Sequence, residues 1–177
     1  MNHEKPGTVT IVEYDPDWPS RFQELSIPVK NALGDLIVAI EHVGSTAVPG
    51  LAAKPIIDMD VVIPSLSDLP VAIARLAVLG YTHRGDLGIR GREAFQAHAS
   101  KPKHHLYVCP KDGDELRRHR SFRDYLRAHP DGARSYEALK REAARRFPDD
   151  RIAYNEAKSH FVGEVLRASE TEGSTDA

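Results

Sequence analysis

The sequence predicts an α+β domain: one mixed β-sheet flanked by helices, with a helical C-terminal segment. Three observations predict it. Two apolar runs, 36–45 and 56–63, read as buried strands joined by a loop that Pro49, Gly50 and Pro55 punctuate. A third apolar run, 105–110, reads as a further strand. From Asp114 onward the apolar residues recur at spacings of three and four, the period of a helix.

The elements follow in order. Residues 1–14 read as a loose lead-in with a short strand at 9–14. Asp17 stands at the start of a helix with Pro19 in its first turn, followed by Phe22, Leu25, Val29, Ala32 and Leu33 on one face. Pro28 is expected to kink this helix, and Gly34 to stop it. The strand 36–45 ends in a glycine turn; the strand 56–63 is apolar except for Asp58 and Asp60. Ser67 or Asp68 caps a helix whose face is Leu69, Ile73, Leu76 and Leu79, closed by Gly80. Two short strands are expected at 81–85 and 92–98. Helices are expected at 114–129, 134–147 and 152–168, the last repeating Tyr154, Ala157, Phe161 and Val165. Residues 1–168 thus form one domain, helical from 114, and 169–177 a disordered tail.

A chain of 177 residues buries roughly 70% of its unfolded surface, enough to fold without a staple. Cys109 is the lone cysteine, which rules out an internal disulfide and suits a reducing, cytoplasmic setting. No apolar run approaches the roughly 20 residues of a membrane span, and the N-terminus lacks a secretory h-region. The net charge is −2, yet 117–158 is rich in arginine and lysine. That local surplus points to an anionic small ligand more than to nucleic acid. Aromatic residues make up only 7%, so no stacking platform for single strands is evident. The sequence carries no signal for an oligomeric state.

Residues 42–63 carry the chemistry. Residues two apart on a strand share a face, so Asp58 and Asp60 project together from an apolar run. Two such carboxylates repel each other and are costly to desolvate. A divalent cation, Mg²⁺ or Mn²⁺, removes that conflict, with substrate phosphates completing its shell. An ordinary structural reading is also open, in which Asp60 pairs with a lysine such as Lys54. Gly44 lets the backbone approach a ligand, and Ser45 adds a hydroxyl donor for a phosphate oxygen. Lys54 lies in the intervening loop, where it would neutralise phosphate charge or anchor Asp58. A P-loop is excluded, because Leu51 follows Gly50 where Gly-Lys-[Ser/Thr] is needed.

Val43-Gly44-Ser45, twelve residues, then Asp58-Met59-Asp60-Val61 resembles the signature of the nucleotidyltransferase superfamily. The longer strings EHVGSTAVPGL (41–51), KPIIDMDVVI (54–63), HHLYVC (104–109) and FRDYLRAHP (122–130) resemble the narrower GrpB-like family. That match extends through Tyr136, Lys140 and the helix of Tyr154 and Lys158. The resemblance implies a nucleotidyltransferase-like fold, metal held by Asp58 and Asp60, and a nucleoside triphosphate bound at Gly44 and Ser45. Superfamily members carry a third carboxylate on a later strand. Here the corresponding strand begins with His104 and His105, while Asp86 and Glu93 are the nearest acids.

Adjacent residues on a strand face opposite sides, so one histidine of this pair is expected beside the aspartates as ligand or general acid/base and the other exposed. The register favours His105 for the site, with His104 as the alternative if the register is shifted by one. Arg120, Arg123 and Arg127 form a stripe on the helix 114–129, opposite Phe122, Tyr125 and Leu126. Such a stripe ordinarily faces solvent; Arg123, within the family match, is assigned to phosphate binding, with Lys140 and Lys158 as further candidates behind it. The leading expectation is a metal-dependent nucleotidyltransferase-like protein with Asp58, Asp60 and His105 catalytic and Gly44, Ser45, Lys54 and Arg123 on the phosphates. The alternatives are a non-catalytic module binding a nucleotide or phosphometabolite, and a metal-dependent phosphohydrolase using His42 or His105.

Overall fold

The computed structural model describes residues 8–173. Helix α1 (Trp18–Leu33) continues through Pro28 as one helix and ends where Gly34 takes a positive φ of 57°. Its start is set by Asp15, whose side chain accepts the Asp17 amide and whose carbonyl accepts that of Trp18. Then come β1 (Ala39–Val43), β2 (Ile57–Ile63), α2 (Leu69–Val78), β3 (Thr82–His83), β4 (Glu93–Gln96) and β5 (His104–Pro110). Three helices finish the chain: α3 (Asp114–Ala128), α4 (Pro130–Arg146) and α5 (Arg151–Gly173).

The strands form one mixed sheet in the order β1-β2-β5-β4-β3. β1 and β2 are antiparallel, β2 and β5 parallel, and β4 antiparallel to both of its neighbours. One face of the sheet carries Ile57, Met59, Val61, Ile63, Leu106 and Val108. With Val29 and Leu33 of α1 and Ala72 and Leu76 of α2 they form the main core. The other face carries Val62 and Cys109, packed on Leu116 of α3. Aspartates and apolar residues therefore alternate along β2 for a simple reason: one face of the strand is core, and the other looks toward the C-terminal helices.

Helices α3, α4 and α5 have a core of their own. Leu126, Tyr136 and Phe161 enclose Val48 and Leu51 of the loop that follows β1. No helix among the described residues is long and apolar enough to cross a membrane.

Three expectations are corrected. Residues 9–14 are not a strand; Val12 makes a single bridge to Ala53, with amide-to-carbonyl bonds of 2.9 and 3.0 Å. α4 starts at Pro130 rather than 134, since proline at the first helical position gives up an N–H that has no intrahelical partner. α5 runs through Gly173, into the segment read as tail, and 174–177 lie outside the described residues, as do 1–7.

Leu76 is fully buried between α2 and the sheet, whereas Val78 on the same helix is 86% exposed. Leu76→Ala should cost about 2–5 kcal/mol in urea denaturation through the cavity it leaves. Val78→Ala should change stability by less than about 0.5 kcal/mol.

Candidate functional site

Gly44 ends β1 with φ 72° and ψ −171°, and a one-turn 3₁₀ segment, Ser45–Ala47, follows. The register puts Val43 opposite Asp58, so the chain turns directly across that carboxylate. A Cβ on residue 44 would stand 2.4 Å from Asp58 Oδ2. Glycine is required here twice over, for the left-handed backbone and for the contact. From the other side, β5 sets His105 opposite Asp58, and His105 Nδ1 donates to Asp58 Oδ1 at 2.6 Å. Both side chains are 29% exposed. With Nδ1 donating, the second ring nitrogen of a neutral His105 is a base.

Asp60 has a different setting. Its side chain is fully buried, and Oδ2 accepts from His119 Nδ1 of α3 at 2.7 Å. Oδ1 is buried without a partner. Burial pushes the Asp60 carboxyl up, and the His119 bond offsets only part of this. Burial opposes charge on His119 too, but the Asp60 bond and carboxylate raise it. The pair holds a proton along the Nδ1–Oδ2 line. Arg92 lies 4.2 Å over the Tyr107 ring, and Tyr107 is the β5 neighbour of Asp60.

Asp58 and His105 line a cavity of about 230 Å³ with Gly44, Ser45, Lys54, Tyr136, Lys140, Arg151, Tyr154 and Lys158. Asp60 and Arg123 are not in its lining. The cavity is walled by the loop after β1 and by α4 and α5. It holds four cations and a single carboxylate, and none of the four cations has a carboxylate partner within ion-pair distance among the described residues. Lys54 and Lys158 sit 5.3 and 4.1 Å from the centre of the Tyr154 ring, and Lys140 lies 4.9 Å from that of Tyr136. Lys140 is 2% exposed and donates to the Ala52 carbonyl, while Glu137 accepts the Ala52 amide at 3.0 Å. One turn of α4 thus clamps both sides of the loop at Ala52. Burial, and then the charge of Lys158, bring Lys140 down to about 7. Burial, and then the charge of Lys54, bring Lys158 to about 8. Burial lowers Lys54 as well.

The arginine stripe is tied to the protein although Arg120 and Arg127 remain partly open to solvent. Arg120 and Arg123 each donate to Glu41 at 2.7 Å, and Arg127 donates to the Ala47 carbonyl. Arg123 also donates to Asp124 and to the His42 carbonyl. Glu41 shares the face of Asp60, its β2 neighbour, so the sheet presents an acid to α3 that the arginines neutralise. Burial alone would raise Glu41; its bonds to Arg123 and Arg120 bring it below the usual range.

His42 stacks on Phe22 with ring centres 4.7 Å apart and bonds to Thr46, and burial lowers it to about 4. His104, expected exposed, is buried between Tyr81 and the Pro102 carbonyl, because its side of β5 is the core side. Glu93 is bound by His83, and Asp86 accepts the Gly88 amide within a turn.

The family model described as GrpB protein matches residues 8–168, nearly the whole described chain. The chain belongs to the GrpB family. It is 38% identical over 154 residues to the UPF0157 protein YqkA of Bacillus subtilis, covering 87% of this chain and 45% of YqkA. It is 35% identical to the glutamate-rich protein GrpB of Alkalihalophilus pseudofirmus, over 90% of this chain and 95% of that one. The chain therefore spans less than half of YqkA and nearly all of the second relative. The crystal structure of the conserved protein GrpB from Enterococcus faecalis aligns with a TM-score of 0.84 at 32% identity, covering 92% and 98% of the two chains.

In this GrpB-family chain the sequence reading missed His119, Arg151 and Tyr154 as neighbours of the signature residues. Arg151, Asn155 and Lys158 lie at spacings of four and three, so they share one face of α5 beside its apolar stripe. His119 had a weaker signal, as a titratable residue one turn before Arg123 on the same helix face.

Gly44→Ala should cost about 1–3 kcal/mol in denaturant titrations, since it combines a strained φ with a collision. It should also move the His105 ring resonances in NMR, because the Asp58 carboxylate must shift. A pH effect follows from the two lysines. An anion in the cavity favours their protonated forms, so the complex binds more protons than the free protein above about pH 7. The cavity's affinity for any added anion should fall as pH rises from about 7 through 8, with proton uptake visible in calorimetry across buffers of different ionisation enthalpy.

Proposed function

We propose that this GrpB-family chain is nucleotidyltransferase-like: it binds a nucleoside triphosphate or related phosphorylated small molecule in the lysine-lined cavity and acts on it with Asp58 and His105. The observation that carries the reading is the convergence on one Asp–His pair of four cations that have no carboxylate at ion-pair distance among the described residues. In this mechanism Asp58 orients the imidazole, and the second nitrogen of His105 accepts a proton from the attacking hydroxyl or water. Lys54, Lys140, Arg151 and Lys158 neutralise phosphate oxygens as charge develops, while Ser45 donates to one of them.

The donor set fits a metal only in part. Among the described residues no three His, Cys, Asp or Glu side chains converge to hold one, and Asp60 is sealed behind His119. Asp58 fits as a single carboxylate ligand to Mg²⁺ or Mn²⁺, the rest of the shell coming from phosphates and water. When bound, the ion would supply charge neutralisation at the phosphorus. The burial of Asp60 favours a second reading, a binding module that holds the same ligand without turnover.

The test is release of pyrophosphate or orthophosphate from nucleoside triphosphates in Mg²⁺ or Mn²⁺, with binding measured in parallel. His105→Gln should lower turnover by about 10²–10⁴-fold with little change in affinity, as removal of a general base does. Tight binding by the wild type without turnover would establish the binding module instead.

A further inference from the structure

Resting on the phosphate reading of the cavity, we propose that it recognises the oligophosphate itself, a compact chain of about three linked phosphates, and is indifferent to the nucleoside or other group attached. Charge, volume and the state of the aromatic rings carry this.

Four protonated cations and one ionised carboxylate leave a surplus of three positive charges. A single phosphate group brings about −1.5 to −2 at pH 7, too little to balance that surplus. A triphosphate supplies enough, and its flexible chain suits cations that come from a loop and two separate helices. The lowered proton affinities of Lys140 and Lys158 agree, since each pays in the free protein for burial beside other cations.

The cavity of about 230 Å³ falls below the roughly 300–1,000 Å³ of pockets that bury a whole drug-sized ligand. Phosphates fit inside it, and a base with its ribose is left outside. A base would also need an aromatic face. Tyr136 stacks on Phe161 with ring centres 5.1 Å apart, takes the edge of Phe122 and lies beside Lys140. Tyr154 carries Lys54 and Lys158. The Thr46 hydroxyl is committed to His42 and the Ile56 carbonyl. The tyrosine rings that line the site are thus occupied already, and the charge of the lining is mostly cationic, from Lys54, Lys140, Arg151 and Lys158.

Calorimetry on the full chain tests this with inorganic tripolyphosphate, orthophosphate and the triphosphates of adenosine, guanosine, cytidine and uridine, each with and without Mg²⁺. The four nucleotides and tripolyphosphate should agree within about threefold, and orthophosphate should bind at least about tenfold more weakly. Lys158→Gln and the solvent-exposed Arg151→Gln should weaken all the oligophosphates by a similar factor, with melting temperatures reporting that both variants fold. One nucleotide binding more than about tenfold tighter than tripolyphosphate would overturn this inference and leave the phosphate cavity standing. If no phosphate compound binds, or both substitutions leave every affinity unchanged, the cavity reading falls with it.

Discussion

The contact between the Gly44 backbone and the Asp58 carboxylate fixes the site. β2 lies between β1 and β5, so Asp58 has the end of one strand on its left and His105 on its right. The turn after β1 can cross the carboxylate only because residue 44 has no side chain; a Cβ would stand at 2.4 Å. Ser45 is delivered to the cavity by that same crossing. The position of one strand in the sheet therefore determines three features: where the turn lies, which histidine meets the acid, and where the loop begins that α4 clamps.

The second determinant is electrostatic and comes from the helices. Lysines do not remain in a protein interior without compensation. Here Lys54, Lys140 and Lys158 rest against tyrosine rings, and Lys140 also reaches a carbonyl, which together offset part of the desolvation. Asp58 favours the charged forms of Lys54 and Lys158, and Glu137 that of Lys140. No carboxylate among the described residues pairs with these lysines at ion-pair distance, however, so the cavity retains mutual repulsion that an anion would relieve. The helical segment from 114 onward thus supplies much of the cavity wall, joined to the loop after β1 through Glu137 and Lys140 and to the sheet through the Arg120–Arg123 clamp on Glu41.

Much of this was legible in the sequence for physical reasons. The buried strands and the helices announce themselves by hydrophobic period, and strand alternation puts Asp58 and Asp60 on one face and His104 and His105 on opposite ones. Alternation does not say which side of β5 is core, so His104 was expected in solvent when it is buried against Tyr81. Helical period likewise groups Arg120, Arg123 and Arg127 but cannot show that Glu41 waits beneath them. Isolated pairings such as Val12 with Ala53 leave no periodic trace at all. Lys54, Lys140 and Lys158 are candidates from the sequence and Arg151 is not. That the four meet in one cavity leaves no periodic trace, because the loop and the two helices that carry them are assembled only by tertiary packing.

The two signature aspartates show how far one rule extends. Residues two apart on a strand share a face, but they are also separated by about 6.6 Å along it. That distance is enough to separate their environments. Asp58, near the start of β2, meets the glycine turn and the open cavity. Asp60 lies further along, beneath α3, where His119 and the neighbouring Arg92 and Tyr107 take the place of solvent. An unpartnered Oδ1 in that setting is costly, and the cost is borne because His119 shares a proton with the opposite oxygen. For Asp60 to serve a ligand, α3 would have to release it, and Arg120, Arg123 and Arg127 hold α3 against β1 and the Ser45 turn. In the folded chain Asp58 and His105 therefore face the cavity, while Asp60 is held beneath α3 by His119.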